Sequence, residues 1–261
     1  MNLLSLNNIF GHGYEEADFS AFEQAGFTFR SQNSSFAGAQ HLHFIDFQHP
    51  PCLELIEVSD HQAYRDFVPP GMEPYAPGLN LRIPEQSQLS IETLRVRFAH
   101  WEPYLLHENY QGGQEEHQPG WNYLNFRQPL MPGVFIWVTE FEPPYPATHP
   151  RTTHTNTVSR VSGMIFDLPA DHFANLSALT EQPVRRGVLD LNGIQLISRE
   201  AARLESPLPE KVFSLSAVVL EAETLEYFLA MDPRPAQITY QGKQAVWITT
   251  PPRCWDLLIT S

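Results

Sequence analysis

Four short runs along this chain are apolar but for a single interruption, and they sit at matching places in four similar stretches. The runs are Pro51–Glu57, Phe135–Glu140, Gly193–Ile197 and Cys254–Ile259. Aligned by pattern, the interrupting residues are Glu54, Trp137, Gln195 and Asp256. Ahead of each run the chain passes through a strand-like apolar segment and then through apolar residues at helical spacing. A strand–helix–strand unit repeated along a chain dictates architecture. The interruptions mark where to look for a site.

The first unit opens with a strand over Leu3–Phe10. A helix follows over Tyr14–Ala25, with Phe19, Phe22 and Ala25 at helical spacing and Gly26 as its stop. A short strand over Phe27–Arg30 and a Ser/Asn/Gly-rich loop over Ser31–Gly38 lead to strands His41–Phe47 and Cys52–Val58. Residues 60–77 hold a helical candidate, His61–Phe67, and then turn Pro-rich, as a linker does. The second unit has a strand over Gly78–Pro84 and a helix over Ser90–His100 with Ser90 as N-cap. A polar loop over 107–120 and strands Trp121–Phe126 and Val134–Phe141 complete it. Glu142–Pro150 contains Pro143, Pro144, Pro146 and Pro150 and is the expected domain boundary.

The third unit has a strand over Val158–Phe166, a helix over Ala170–Thr180, and strands Val184–Leu191 and Ile194–Ser198. The last two flank Asn192-Gly193, a strong two-residue hairpin signal. After a connector at 199–210, the fourth unit has a strand over Val212–Leu220 and a helix over Glu223–Met231. Its remaining strands are Ala236–Tyr240, Ala245–Thr249 and Trp255–Thr260. The expected fold is α+β, with units 1–60 and 78–142 forming an N-terminal pair (1–145). Units 156–199 and 211–261 form a C-terminal pair (150–261). The repeat is βαββ, with a further β clearest in the first and last copies; residue identity between copies is slight.

Charge narrows the partners. The chain carries 16 Lys+Arg against 30 Asp+Glu, a net charge of −14. Phosphate backbones and anionic lipid surfaces repel such a chain, so neither nucleic acid nor membrane is an expected partner. No apolar run reaches spanning length, and Met1–Leu6 has neither a basic flank nor a cleavage pattern. Cys52 and Cys254 both sit in apolar runs and are read as buried reduced thiols of a cytoplasmic protein. Homo-oligomerisation is left open.

Gly38-Ala39-Gln40-His41-Leu42-His43-Phe44, followed after a turn by Cys52-Leu53-Glu54-Leu55-Ile56-Glu57, resembles the glyoxalase-like branch of the vicinal oxygen chelate superfamily. Val134-Phe135-Ile136-Trp137 and His149-Pro150 look like that branch's later landmarks. The resemblance covers most of the chain in pattern, and its specific motif lies between Gly38 and Glu57. It implies paired units forming a half-open, cup-shaped sheet with the site inside. It also implies metal ligands on the first and last strand of each unit, His or Gln on the first and Glu on the last.

Alternation tests that expectation on these residues. If Leu53 and Leu55 pack under the helix, Glu54 points into the cup. The first-strand positions fall near Asn8, Asn80, Ser162 and Ser216, none of them His. Glu54 with Asn8, Asn80 and Trp137, or Asp256 with Gln195 and two serines, is a poor set for a hard divalent cation. No metal residues are therefore assigned, although the resemblance keeps a divalent ion in view. His41 and His43 share a strand face; if it is Glu54's, the three can move protons or hold a metal, and otherwise they are two histidines on a half-exposed strand. His12, just after the first strand, is either a rim residue of the same cup or a solvated loop histidine. Trp137 and Trp121 are candidate walls or core. Arg30, Arg82 and Arg127 lie on strands, where a positive charge needs a partner: Glu54 or a ligand carboxylate.

No nucleophile elbow, phosphate loop or dinucleotide fingerprint is present. Three readings stand. One is a glyoxalase-like enzyme of lyase, isomerase or dioxygenase type acting on a small oxygenated molecule. In it Glu54 is base or ligand, His41 and His43 assist, and Asn8, Asn80, Trp137 and Arg30 bind substrate. The second is a metal-free binding protein for a small aromatic or anionic compound. The third is a scaffold whose cup is filled by its own side chains. Chemistry is expected in the N-terminal pair.

Overall fold

A computed structural model describes residues 4–12, 16–33, 40–68, 73–108, 120–142, 152–204, 211–250 and 255–261. The first unit comprises strand β1 (Ser5–His12), helix α1 (Glu16–Gln24) and strands β2 (Arg30–Asn33), β3 (Gln40–Ile45) and β4 (Cys52–Val58). Helix α2 (His61–Phe67) follows, capped by Asp60, whose carboxylate accepts from the amides of Gln62 and Ala63. The second unit comprises β5 (Gly78–Arg82), α3 (Ile91–Arg97), β6 (Pro103–Glu108), β7 (Trp121–Phe126) and β8 (Phe135–Phe141). Ser90 caps α3 by accepting from the Thr93 amide.

The third unit has β9 (Val158–Phe166), α4 (Ala174–Thr180), β10 (Val188–Leu191) and β11 (Ile194–Ser198), followed by the one-turn α5 (Arg199–Ala202). The fourth has β12 (Leu215–Ala222), α6 (Glu226–Leu229), β13 (Ala236–Tyr240), β14 (Lys243–Ile248) and β15 (Asp256–Thr260). The hairpin between β10 and β11 turns on Asn192 and Gly193, with φ of 58° and 88°. Both values lie in the left-handed region that such a two-residue turn requires.

Among the described residues the strands form two mixed sheets, in the orders β2-β3-β4-β1-β5-β8-β7-β6 and β10-β11-β9-β12-β15-β14-β13. In each, the first strands of paired units run antiparallel at the centre, β1 against β5 and β9 against β12. Each first strand also pairs parallel with the last strand of its own unit. This is the expected α+β arrangement of paired βαββ(β) units.

Period-two alternation sends one face of each sheet to a common core. Leu53, Leu55, Leu79, Leu81, Ile136 and Val138 of the first sheet join Met164, Val218, Leu220, Leu257 and Ile259 of the second in one apolar cluster. The other faces carry separate clusters: Phe10, Ile56, Phe135 and Trp137 on the first sheet, and Ile165, Ile197, Val219 and Leu258 on the second.

Several expected elements differ. The strand placed at Phe27–Arg30 is β2, Arg30–Asn33, because Arg30 is where pairing with Phe44 begins. Part of the expected polar loop is β6, held as an edge strand by β7, so the second unit also has the further strand. The helix placed at Glu223–Met231 is a single turn, and the strand placed from Val212 begins at Leu215, opposite Phe166. Most of Glu142–Pro150, Cys254 and His149 lie outside the described residues.

Candidate functional site

Glu54 lies on β4 between Leu53 and Leu55, which enter the common core, so its carboxylate emerges on the opposite, concave face. There it meets Asn8 of β1. Asn7 donates from Nδ2 to Asn8 Oδ1 at 3.1 Å. Asn8 Nδ2 is thereby turned to the Glu54 carboxylate, where it donates to Oε2. Phe10, the register partner of Glu54, stacks on Trp137 with ring centroids 4.3 Å apart.

Asn80 is the register partner of both Asn8 and Trp137, and its Oδ1 accepts from Thr139 Oγ1 at 2.6 Å. Arg30 lies opposite Phe44, itself opposite Glu54. Its guanidinium sits 4.4 Å from the Phe44 ring centre and grips Asp46 through Nε (2.6 Å) and Nη2 (3.1 Å). The concave face of the N-terminal sheet thus gathers Glu54, Asn8, Asn80, Trp137 and Arg30.

Burial pushes the Glu54 carboxyl up to about 7, opposed by the Asn8 hydrogen bond and the Arg30 charge. A carboxyl with that value holds a proton about half the time at neutral pH and can both accept and return one.

His41 and His43 are not part of this group. On β3 they pair with Glu57 and Leu55, whereas Phe44 pairs with Glu54, so the two histidines occupy the opposite face. His43 packs 4.1 Å from the Phe19 ring, and its Nε2 lies 3.6 Å from Glu57 Oε2. His41 is exposed. His12 does share the concave face, but as the buried last residue of β1 and not as a rim residue. Its Nδ1 lies 3.0 Å from the Ala76 carbonyl, and burial lowers its pKa to about 4. Arg82 pairs with Glu85 at 2.5 Å, and Arg127 lies 5.4 Å from the Tyr104 ring centre. Of the three strand arginines, Arg30 is the one whose charge acts on Glu54.

The aromatic wall continues from Trp137 to Tyr123 (5.2 Å) and from Tyr123 to Trp121 (6.1 Å). Along it, Trp137 Nε1, Trp121 Nε1, Asn125 Nδ2 and Tyr104 Oη are buried without a hydrogen-bond partner among the described residues. Asn125 and Tyr104 face each other across β7 and β6, and neither stood out in the sequence. Asn125 had only a weak signal, one of two asparagines in a strand that otherwise holds Trp121, Tyr123, Leu124 and Phe126. Each unmatched buried group costs ~1–3 kcal/mol, and four donors on one sheet face form a surface that a hydrogen-bond acceptor would satisfy.

The C-terminal sheet is arranged differently. Asp256 is fully buried and contacts Lys211 Nζ (2.5 Å), Trp247 Nε1 (2.8 Å) and the Thr250 amide (2.7 Å). Ser216 is buried, Ser162 donates to the Val219 carbonyl at 3.4 Å, and Gln195 is exposed.

No family model and no curated protein sequence matches the chain. Solved structures do. A hypothetical protein from Staphylococcus aureus matches with a TM-score of 0.61 and 9% identity, covering 98% of this chain and 99% of that one. A catechol 2,3-dioxygenase matches with a TM-score of 0.55 and 10% identity, over 97% and 86% of the two chains. The Mn(II)-bound glyoxalase from Novosphingobium aromaticivorans matches with 0.55 and 10%, over 100% and 83%. The chain has the vicinal oxygen chelate fold. At these identities the likeness concerns the fold alone.

A vicinal oxygen chelate fold implies a metal, and these residues do not suit one. Among the described residues no three His, Cys, Asp or Glu side chains cluster as a metal site. In the N-terminal cup the Glu54 carboxyl is already bound by an amide, and that of Asp46 is taken by Arg30. In the C-terminal cup both Asp256 oxygens are taken, one of them by an ammonium group. A hard divalent ion needs several anionic oxygen or imidazole donors.

Proposed function

We propose that this is a glyoxalase-like protein that binds a small oxygenated organic molecule in its N-terminal cup, without a resident metal. Glu54 is the group that exchanges a proton with that molecule. The observation that carries the reading is the pairing of a buried carboxyl of near-neutral pKa with unmatched donors beside it on one aromatic-walled face. Trp137 Nε1 and Asn125 Nδ2 suit acceptor oxygens, the aromatic rings suit a flat apolar body, and Asn8 holds Glu54 in place. Arg30 keeps part of the negative charge on Glu54 compatible with burial. The fold shared with a catechol dioxygenase and a glyoxalase supports the choice of ligand class.

Catechol is a suitable probe. Calorimetric titration of chelator-treated protein is expected to give saturable binding that added Mn²⁺ does not change and that Glu54→Gln weakens at least tenfold. No saturable binding of catechol, or equal affinity in the variant, overturns the reading.

A further inference from the structure

The concave faces of the two sheets are lined differently. On the first sheet Phe10, Phe135 and Trp137 are joined by Tyr64 of α2 and by Phe213 in one apolar cluster. On the second, a cavity of about 430 Å³ opens over β9, β11, β12 and β15. Two features leave that space. The side chains under it are small or flexible: Ser162, Gly163, Gln195, Val219 and Thr260. Gly163 is held to a hydrogen atom by its neighbour strand, since a Cβ there would lie 2.7 Å from the Gln195 carbonyl oxygen. The third unit also contributes three strands among its described residues where the others contribute four, so this sheet ends at the four-residue β10.

The lining is amphipathic. Ile197 and Val219 form an apolar floor, and Ser162, Gln195 and Tyr240 bring polar groups to it. Arg160 and Glu221, register partners across β9 and β12, neutralise each other through two contacts of 2.6 and 2.8 Å. Lys243 is the register partner of Tyr240, which places both on the concave face. Its ammonium has no carboxylate partner among the described side chains. The cavity lies at the Thr260 end of β15, four residues from the closed Asp256–Lys211 pair.

We infer that the concave face of the C-terminal sheet is a second binding site, one that takes a small organic carboxylate with Lys243 as its charge partner. The carboxylate meets Lys243, while the apolar part of the ligand lies on Val219 and Ile197. The volume falls within the range of ligand pockets, about 300–1,000 Å³. On a chain of net charge −14, an exposed lysine at the edge of a cleft, without a carboxylate partner among the described side chains, favours an anion that the rest of the surface repels.

Benzoate is the probe, with benzyl alcohol as its uncharged counterpart, titrated calorimetrically into the full chain. Saturable benzoate binding is expected, at least tenfold weaker in Lys243→Glu, weaker with added salt, and unchanged in Glu54→Gln. Benzyl alcohol is expected to bind at least tenfold more weakly than benzoate. Lys243 is exposed, so its variants leave the core intact. Absence of benzoate binding, equal affinity in Lys243→Glu, or equal affinity for benzyl alcohol overturns the proposal. Loss of benzoate binding in Glu54→Gln also overturns it, since it would move the ligand to the N-terminal cup.

Discussion

At Glu54, burial and partnering pull in opposite directions, and burial wins. A carboxyl ordinarily near 4.5 is raised to about 7 in the fold, so between those values the folded chain binds a proton that the unfolded chain releases. The sign follows: this group's contribution is fully present below about 4.5 and is lost as pH rises through 7. Glu54→Gln carries no charge at any pH. Relative to wild type it is expected to gain stability on the order of 3 kcal/mol between pH 4.5 and pH 8, from about 1.4 kcal/mol per pKa unit. Urea denaturation of both proteins at the two pH values measures this, and a gap independent of pH would reject the shifted carboxyl.

The placement of Glu54 was legible because Leu53 and Leu55 flank it with unambiguous core residues. His41-Leu42-His43-Phe44 offered no such guide: either set is compatible with either face, and pairing of Phe44 with Glu54 decided the matter. The unmatched donors at Asn125 and Tyr104 exist only once β6 and β7 are side by side.

Strands and turns were legible where local chemistry forces them. Asn192-Gly193 and Gln241-Gly242 both adopt positive φ and both close hairpins. β6 was missed because an edge strand has one pairing partner and keeps polar residues, His107 and Glu108, that resemble a loop. Gly163 exposes a constraint of the same scale. Its neighbour is the backbone of β11, which cannot rotate away as a side chain can. Gly163→Ala is therefore expected to pry β9 from β11 and to cost ~1–3 kcal/mol, as overpacking does. Gly242→Ala meets no atom within 4 Å, so its cost comes from its φ of +79° alone. Thermal melts with amide exchange along β11 separate the two, since only the first variant should lose protection at Gln195–Ser198.

The pairing of units by repeat pattern anticipated two sheets, but not how tightly they join. The apolar cluster runs through both, with Phe22 edge-on to Trp255 at 6.4 Å. A polar seam reinforces it. Asn156 Nδ2 donates to the Ala25 carbonyl at 2.8 Å, and Thr155 Oγ1 donates to that of Gly26 at 3.1 Å. His154 lies at the centre: its Nδ1 accepts from the Thr28 amide at 3.1 Å, which leaves Nε2 to donate to the Asp46 carbonyl at 3.0 Å. Adding a proton to Nδ1 would set N–H against N–H.

Burial lowers the His154 pKa from 6.5, with the Asp46 carbonyl and charge opposing. The unfolded chain therefore takes up the proton first, and the seam weakens as pH falls below 6.5. His154→Leu removes both bonds and leaves the Asp46 carbonyl and Thr28 amide unmatched, an expected loss of ~1–3 kcal/mol at pH 7. Because wild type loses its own His154 contribution in acid, the gap between the two proteins should narrow at pH 5. Denaturation monitored separately through near-ultraviolet circular dichroism and hydrogen exchange in each sheet should follow one transition at either pH. A gap of constant size from pH 7 to 5 would remove His154 from the joint, and separate transitions for the two sheets in wild type would mean that the shared core does not bind them into one folding unit.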